Sequence, residues 1–196
     1  MPAEEVPLAG VVGVVLAAGR ARRFGADKRW TSWQGEPLLA HVLRTAGATC
    51  ERVLVVVEQS DAELDELMDR LSAEPVICPD ALHGLAFSRR CGLDALKDDP
   101  DLRGVLVFLG DMPAIRPVDA RRLGRTMLET GLPVRPVHRG EPGHPVACPR
   151  RWLSELGESG FPAQQGRMIE WRHAGVVHDV DYPADLHRLG KPGFHT

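Results

Sequence analysis

The chain has 196 residues, of which 43% are hydrophobic and 26% are charged, and its formal net charge at pH 7 is −3. These values are close to the averages of globular proteins and exclude a disordered, collagen-like or coiled-coil chain. The acidic balance and the low aromatic content, one Tyr and five Phe, also argue against a nucleic-acid partner.

The first two thirds of the chain alternate apolar runs with amphipathic segments. Helical spacing of apolar residues predicts helices that begin at Pro37, after Asp61, at Leu85 and at Pro117. Runs rich in β-branched residues predict buried strands at 10–19, 52–58 and 104–111, and the segment 75–78 predicts a short further strand. This alternation predicts a single α/β domain with a Rossmann-like, doubly wound and mostly parallel sheet.

The last third of the chain is less regular. Two short apolar stretches, 134–140 and 143–149, flank a turn and predict a small antiparallel extension of the sheet. The segment 176–189 predicts a final strand followed by a short helix. No linker is long enough to separate a second domain.

Signals for export or membrane insertion do not stand out in the sequence. The first ten residues are acidic and lack the basic region of a signal peptide. The longest apolar run, 11–18, is far shorter than the ~20 residues of a membrane span. The four cysteines lack C-x-x-C spacing, which argues against a zinc site or a disulfide framework. We therefore expect a cytoplasmic protein without a membrane partner.

The loop after the first predicted strand has the composition of a phosphate-binding loop. Small residues at 17–19 let the backbone approach a ligand, and residues 20–29 include five positive side chains and one negative one. Cations beside small residues suit polyphosphate recognition, since ligands of open α/β sheets bind at the carboxyl ends of the strands. The P-loop and dinucleotide glycine patterns are both absent. A charged surface loop without a ligand would have the same composition.

Carboxylates follow two later segments. Asp111 ends a predicted central strand, where it could hold Mg²⁺ or cap the next turn. Asp179 and Asp181 lie two residues apart, so on a strand both would point to one face and either could supply a second Mg²⁺ ligand. Asp185 suits the first turn of the following helix.

These motifs, taken in order, resemble those of the MobA-like NTP transferases. They are L-A-A-G-x-x-x-R-x-x-x-x-K at 16–28, L-G-D-M-P at 109–113 and D-V-D-x-P-x-D-L at 179–186. The G-H-P-V sequence at 143–146 is typical of the pterin branch of that family. Within this branch the chain is most similar to the molybdenum cofactor cytidylyltransferases, and the resemblance spans residues 11–189.

The resemblance implies a nucleotide-diphospho-sugar transferase fold and a role for each motif. Arg23, Lys28 and Asp111 would be the catalytic residues, and Asp111 and Asp181 would bind Mg²⁺. The acceptor would contact Gly143, His144 and Pro145. The nucleotide would contact Leu16, Ala17, Ala18, Gly19, Arg23, Lys28, Pro79, Gly84 and Ser88. The chain would then divide into a tail at 1–9, a nucleotide-binding half at 10–130 and an acceptor half at 131–190.

The implied reaction transfers a nucleotidyl group from an NTP to a phosphorylated, molybdopterin-type acceptor and releases pyrophosphate. CTP is favoured because Ala18 stands where the guanylyltransferase branch has a second glycine. Cys78 stands where the family often has Asn, and the late G-D-x-G-A-R element is reduced to A-Q-Q-G-R at 163–167. A GTP-using guanylyltransferase, a sugar-phosphate nucleotidyltransferase and a non-catalytic cofactor chaperone for a molybdoenzyme partner stay open as alternatives.

Overall fold

The computed structural model describes residues 6–18 and 27–189, and most of their strands join one mixed sheet. The strands are β1 (Leu8–Leu16), β2 (Ser32–Trp33), β3 (Glu36–Pro37), β4 (Cys50–Val57), β5 (Ala73–Ile77), β6 (Gly104–Leu109), β7 (Val134–His138), β8 (Glu141–Pro142), β9 (Val146–Pro149) and β10 (Arg167–Glu170). The four strands predicted in the first two thirds of the chain are present; β1, β4 and β6 are buried because both faces of the sheet are covered, whereas the edge strand β5 is mostly exposed.

The sheet combines a parallel half with an antiparallel extension, as the sequence predicts. Strands β5, β4, β1 and β6 lie side by side and are parallel. Strand β9 pairs antiparallel with β6, β7 pairs antiparallel with β9 and β8, and β10 pairs parallel with β7 at the edge. Strands β2 and β3 form a separate antiparallel pair. The result is a single α/β domain with a doubly wound, mostly parallel sheet.

Helices cover both faces of the sheet, and several begin where local sequence signals predict. Pro37 directly precedes one helix, and Pro117 is the first residue of another. Asp61 caps a third helix by accepting a hydrogen bond from the Leu64 N–H at 2.9 Å. The helices are α1 (Leu38–Thr49), α2 (Ala62–Arg70), α3 (Leu85–Asp94), α4 (Pro117–Thr130), α5 (Leu153–Ser159) and α6 (Pro183–Leu189). None among the described residues is long and apolar enough to cross a membrane.

The core has two layers, one on each face of the sheet. Alternate residues of β1 point to opposite layers: Val11 and Val15 pack with α1, α2 and α4, whereas Val12 and Val14 pack with α3 and α5. Helix α3 lies very close to the sheet at Gly92, where a Cβ atom would lie 2.7 Å from side chains of β1 and β4. Gly92 lies near the end of α3, so this close packing holds the last turns of the helix against the sheet.

The segment after residue 176 corrects one prediction, because it is not a strand. The chain makes a 3₁₀ turn at Ala174–Val176 and reaches α6 without pairing to a strand. Its backbone bonds instead to the loop after β6, where the Val180 N–H donates to the Asp111 carbonyl at 3.0 Å. The last strand of the sheet is β10, which the sequence did not predict. Residues 177–182 therefore pass beside Asp111 at the carboxyl edge of β6.

Candidate active site

Three carboxylates converge at the carboxyl edge of the sheet. Asp111 follows β6 by two residues, and the Gly110 N–H before it donates to the Leu16 carbonyl at 2.9 Å, which ties this loop to the end of β1. One carboxylate oxygen of each of Asp111, Asp179 and Asp181 lies within 4.8 Å of the others. Asp179 and Asp181 reach the same place although their segment is not the predicted strand. We call these three residues the acidic cluster.

Lys28 reaches into the acidic cluster from a different part of the chain. It begins a 3₁₀ turn that Asp27 caps by accepting a hydrogen bond from the Arg29 N–H at 3.0 Å. The Lys28 Nζ atom donates to Asp111 Oδ2 at 2.5 Å and to Asp181 Oδ1 at 3.3 Å. Burial, the largest single influence, lowers the pKa of Lys28, but the charges of and hydrogen bonds to Asp111 and Asp181 outweigh it and raise that pKa. The side chain is therefore a fixed cation.

The donor set of the acidic cluster fits a hard divalent cation. Burial, followed by the charges of Asp111 and Asp181, raises the pKa of Asp179, so the three carboxylates repel one another. Asp111 Oδ1 is buried and has no hydrogen-bond partner among the described residues. Carboxylate oxygens are the ligands that Mg²⁺ prefers, and a bound cation would relieve both conditions. Asp179 belongs to this set with Asp111 and Asp181, the pair chosen from the sequence.

The predicted nucleotide loop lies beside this cluster in the part that the structure describes. Leu16, Ala17 and Ala18 are buried at the end of β1, and the Ala17 N–H donates to the Val56 carbonyl at 2.9 Å. The small side chains of Ala17 and Ala18 leave room for a ligand to approach the backbone at this edge of the sheet. The predicted nucleotide ligands Gly19 and Arg23 lie outside the described residues.

The second predicted nucleotide segment forms a separate wall at the start of α3. Pro79 is exposed in a 3₁₀ turn, and Gly84 precedes α3 with φ at 126°, a left-handed conformation that favours glycine. Ser88 is buried against the sheet. The structure joins Lys28, Asp111 and Asp181 by hydrogen bonds, and among the described residues no hydrogen bond links Pro79, Gly84 or Ser88 to them.

The predicted acceptor residues pack against the segment that leads into Asp179. The backbone N–H of His144 donates to the Val176 carbonyl at 2.7 Å, and a Cβ atom on Gly143 would overlap the same carbonyl. Pro145 is buried. The His144 Nδ1 atom lies 3.3 Å from the Val107 carbonyl of β6. Burial, assisted by the charges of nearby arginines, lowers the pKa of His144 to about 4, so the imidazole is neutral at pH 7 and Nδ1–H donates.

A buried network around Asp119 supports this segment from behind. The Asp119 carboxylate accepts hydrogen bonds from Arg116 Nε at 2.7 Å, Trp171 Nε1 at 3.0 Å and His173 Nε2 at 2.8 Å. The network fastens the first turn of α4 to residues 171–173, shortly before the acidic cluster. Nothing in the sequence marks it, because Asp119 is separated from Trp171 by 52 residues and from His173 by 54.

Comparison with known proteins gives the family. The model of the MobA-like NTP transferase domain matches residues 13–176. The chain belongs to this family. It is 24% identical over 182 residues to the molybdenum cofactor cytidylyltransferase of Escherichia coli (strain K12), a match that covers 88% of this chain and 92% of that protein. It is 37% identical over 65 residues to a probable molybdenum cofactor guanylyltransferase of Bacillus cereus (strain AH820), covering 33% of this chain and 31% of that protein.

A solved structure shows the same fold as this MobA-like domain. A nucleotidyl transferase from Methanothermobacter thermautotroptrophicus superimposes with a TM-score of 0.72, at 20% identity, over 91% of this chain and 95% of that one. The predicted nucleotide-diphospho-sugar transferase fold is confirmed. The names of the relatives and of the family place the chain among the nucleotidyltransferases, as the motifs of the sequence imply.

Proposed function

We propose that this MobA-like domain transfers a nucleotidyl group from an NTP to a phosphorylated, molybdopterin-type acceptor and releases pyrophosphate. The acidic cluster with Lys28 at its centre carries the proposal. It combines carboxylates suited to Mg²⁺ with a fixed cation suited to phosphate, beside the buried small residues that end β1. The two molybdenum cofactor relatives support the pterin acceptor.

CTP is the favoured nucleotide. Ala18 stands where the guanylyltransferase branch has a second glycine, and beside a base its methyl group would leave less room for a purine than glycine would. The cytidylyltransferase relative also matches over most of its length, whereas the guanylyltransferase match covers 65 residues. GTP stays the alternative. A thermal-shift titration with CTP, GTP and ATP, each with Mg²⁺, tests the choice, because the nucleotide that binds most tightly raises the melting temperature most.

The reaction in this proposal is an in-line displacement. An oxygen of the acceptor's terminal phosphate attacks the α-phosphorus, the bond to the bridging oxygen of the β-phosphate breaks, and pyrophosphate leaves with the electron pair. The nucleophile is already anionic, so no side chain has to remove a proton, and catalysis depends on positioning and charge stabilisation. Lys28 donates to phosphate oxygens, a role that Arg23 would share. Asp111, Asp179 and Asp181 would hold Mg²⁺, whose charge would offset that of the phosphates when it is bound.

Removing either partner of the Lys28–Asp111 pair tests the proposal. We expect Lys28→Ala and Asp111→Ala each to lower turnover by roughly 10²–10³, by analogy with the loss of one hydrogen-bond donor to the transition state. The assay measures pyrophosphate release with Mg²⁺, CTP and molybdopterin. Lys97→Ala, which removes an exposed lysine after α3, is the matched control and should keep full activity.

Two outcomes would contradict this assignment. Near-full turnover in either variant would exclude the acidic cluster as the reaction centre. Nucleotide binding by the wild-type protein without pyrophosphate release in the presence of acceptor would favour the non-catalytic cofactor chaperone instead.

A further inference from the structure

Two arginines beside the acceptor residues have no acidic partner in the described chain. Arg89 of α3 donates through Nε to the Leu156 carbonyl at 2.7 Å and through Nη2 to the Gly157 carbonyl at 3.3 Å. Arg135 of β7 donates through Nε to the Gly143 carbonyl at 2.9 Å. Neither guanidinium pairs with a carboxylate among the residues described, and neither Nη1 atom has a hydrogen-bond partner there. Carbonyl groups hold both guanidinium groups, and that of Arg135 also lies over the ring of Phe161.

The two guanidinium groups lie beside consecutive residues of the chain, Gly160 and Phe161. A Cβ atom built on Gly160 would lie 3.8 Å from Arg89 Nη2, and the Arg135 Cζ atom lies 5.9 Å from the ring centroid of Phe161, the next residue. Both guanidinium groups also act on the ring of His144, whose pKa they lower in addition to the effect of burial. Arg89, Arg135 and His144 therefore share one neighbourhood, which we call the basic pocket.

Arg89 and Arg135 are partly buried, so their unpaired positive charges are unfavourable unless an anion binds beside them. Desolvation lowers the pKa of both Arg89 and Arg135, and no carboxylate among the described residues compensates for it. His144 adds no charge of its own, since the Nδ1–H of its neutral ring donates to a carbonyl of β6. Two guanidinium groups with free N–H donors match the oxygen geometry of a phosphate group.

The basic pocket lies on the acceptor side of the reaction centre. The ring of His144 bonds to Val107 of β6, the strand that leads to Asp111. Its backbone bonds to Val176, three residues before Asp179. The chain thus connects the arginines, through residues 143–144 and 176–179, to the acidic cluster at which the acceptor phosphate would attack.

We propose that Arg89 and Arg135, beside His144, form a subsite for the phosphate monoester dianion of the acceptor. The acceptor's identity rests on the proposed function, whereas the binding of a phosphate dianion does not. The triphosphate of the NTP could also supply a phosphate group to this subsite, so the experiments distinguish the acceptor from the NTP.

Binding is tested without turnover by titrating inorganic phosphate and following the His144 imidazole by NMR. A bound dianion offsets the two arginine charges, so phosphate should raise the pKa of His144 in the wild-type protein. In Arg89→Gln and Arg135→Gln the dissociation constant for phosphate should rise by about 10- to 100-fold. Arg90→Gln is the matched control, because Arg90 is the next residue on α3 and is exposed, with its guanidinium 3.7 Å from Asp94. It should bind like the wild type.

Two results would overturn the subsite. One is a His144 resonance of the wild-type protein that does not respond to phosphate. The other is a dissociation constant for phosphate that is the same in Arg89→Gln, Arg135→Gln and Arg90→Gln. Arg89 also bonds to the last turn of α5, so Arg89→Lys, which keeps the charge, replaces Arg89→Gln if the latter does not fold. It should bind phosphate more tightly than Arg135→Gln does.

Steady-state kinetics separate the acceptor from the nucleotide. Arg89→Gln and Arg135→Gln should raise the acceptor KM about tenfold or more and leave the KM for the NTP and kcat within about twofold of the wild type. A rise in the KM for the NTP instead would assign the pocket to the triphosphate and refute the acceptor assignment. Absence of turnover in the wild-type protein would count against the proposed function, while the phosphate titration would still decide the subsite.

Discussion

Replacing Asp119 with alanine should cost this protein a large part of its stability. Trp171 and His173 are each 4% exposed, and the substitution removes the acceptor of one buried N–H donor on each of them. A buried donor that loses its partner costs about 1–3 kcal/mol, so the two together cost about 2–6 kcal/mol. Arg116, the cation paired with Asp119, is 40% exposed, so its loss of a partner adds little. We expect a loss of about 2–6 kcal/mol from a total near 5–15 kcal/mol.

Urea denaturation followed by tryptophan fluorescence measures this loss. Asp69→Ala is the control, because Asp69 is an exposed aspartate near the end of α2 and its loss should change stability by less than ~0.5 kcal/mol. The idea that Asp119 joins α4 to residues 171–173 would be refuted if Asp119→Ala lost no more stability than Asp69→Ala.

The pH dependence gives a second check on the same network. Burial, the largest influence, raises the pKa of Asp119, but hydrogen bonds from Arg116 and Trp171 and the charge of His173 outweigh it and lower that pKa. A carboxyl group whose folded-state pKa is depressed stabilises the fold above its unfolded pKa of about 3.9, and this contribution is lost as the pH falls through the folded-state value. The stability difference between the wild type and Asp119→Ala should shrink as the pH falls below about 4, which urea denaturation at each pH measures.

Two further predictions concern the acidic cluster and the acceptor residues. Asp179→Asn removes one of three repelling carboxylates, so it should raise the melting temperature without Mg²⁺ and reduce the rise that Mg²⁺ produces. Scanning fluorimetry with and without Mg²⁺ measures both effects. An unchanged response to Mg²⁺ would exclude Asp179 as a ligand. Gly143→Ala forces a Cβ atom onto the carbonyl of Val176 and should lower the free energy of unfolding by about 1–3 kcal/mol. Gly47→Ala, whose Cβ would meet no atom within 4 Å, is its control in urea denaturation, and equal effects of the two would contradict the overlap.

Local patterns in the sequence were enough to predict most of the sheet and its helices. Runs of β-branched residues predict β1, β4 and β6 because these strands are buried on both faces. Asp61 and Pro117 mark helix starts because capping and a fixed φ act over one turn of backbone. The prediction of a strand after residue 176 was wrong because it depended on a contact with a distant part of the chain. The Val180 N–H donates to the carbonyl of Asp111, which lies in a loop and not in a strand.

The sequence by itself determined the family motifs, the α/β fold and the residue types of the site, since each depends on neighbours along the chain. Only the tertiary structure decided which of these residues meet. It brought Lys28 to Asp111 across 83 residues and to Asp181 across 153, added Asp179 to the acidic cluster and placed Asp119 behind it. Charges and hydrogen bonds act over a few ångströms of space, and spacing along a sequence does not record that distance once the chain has folded back on itself.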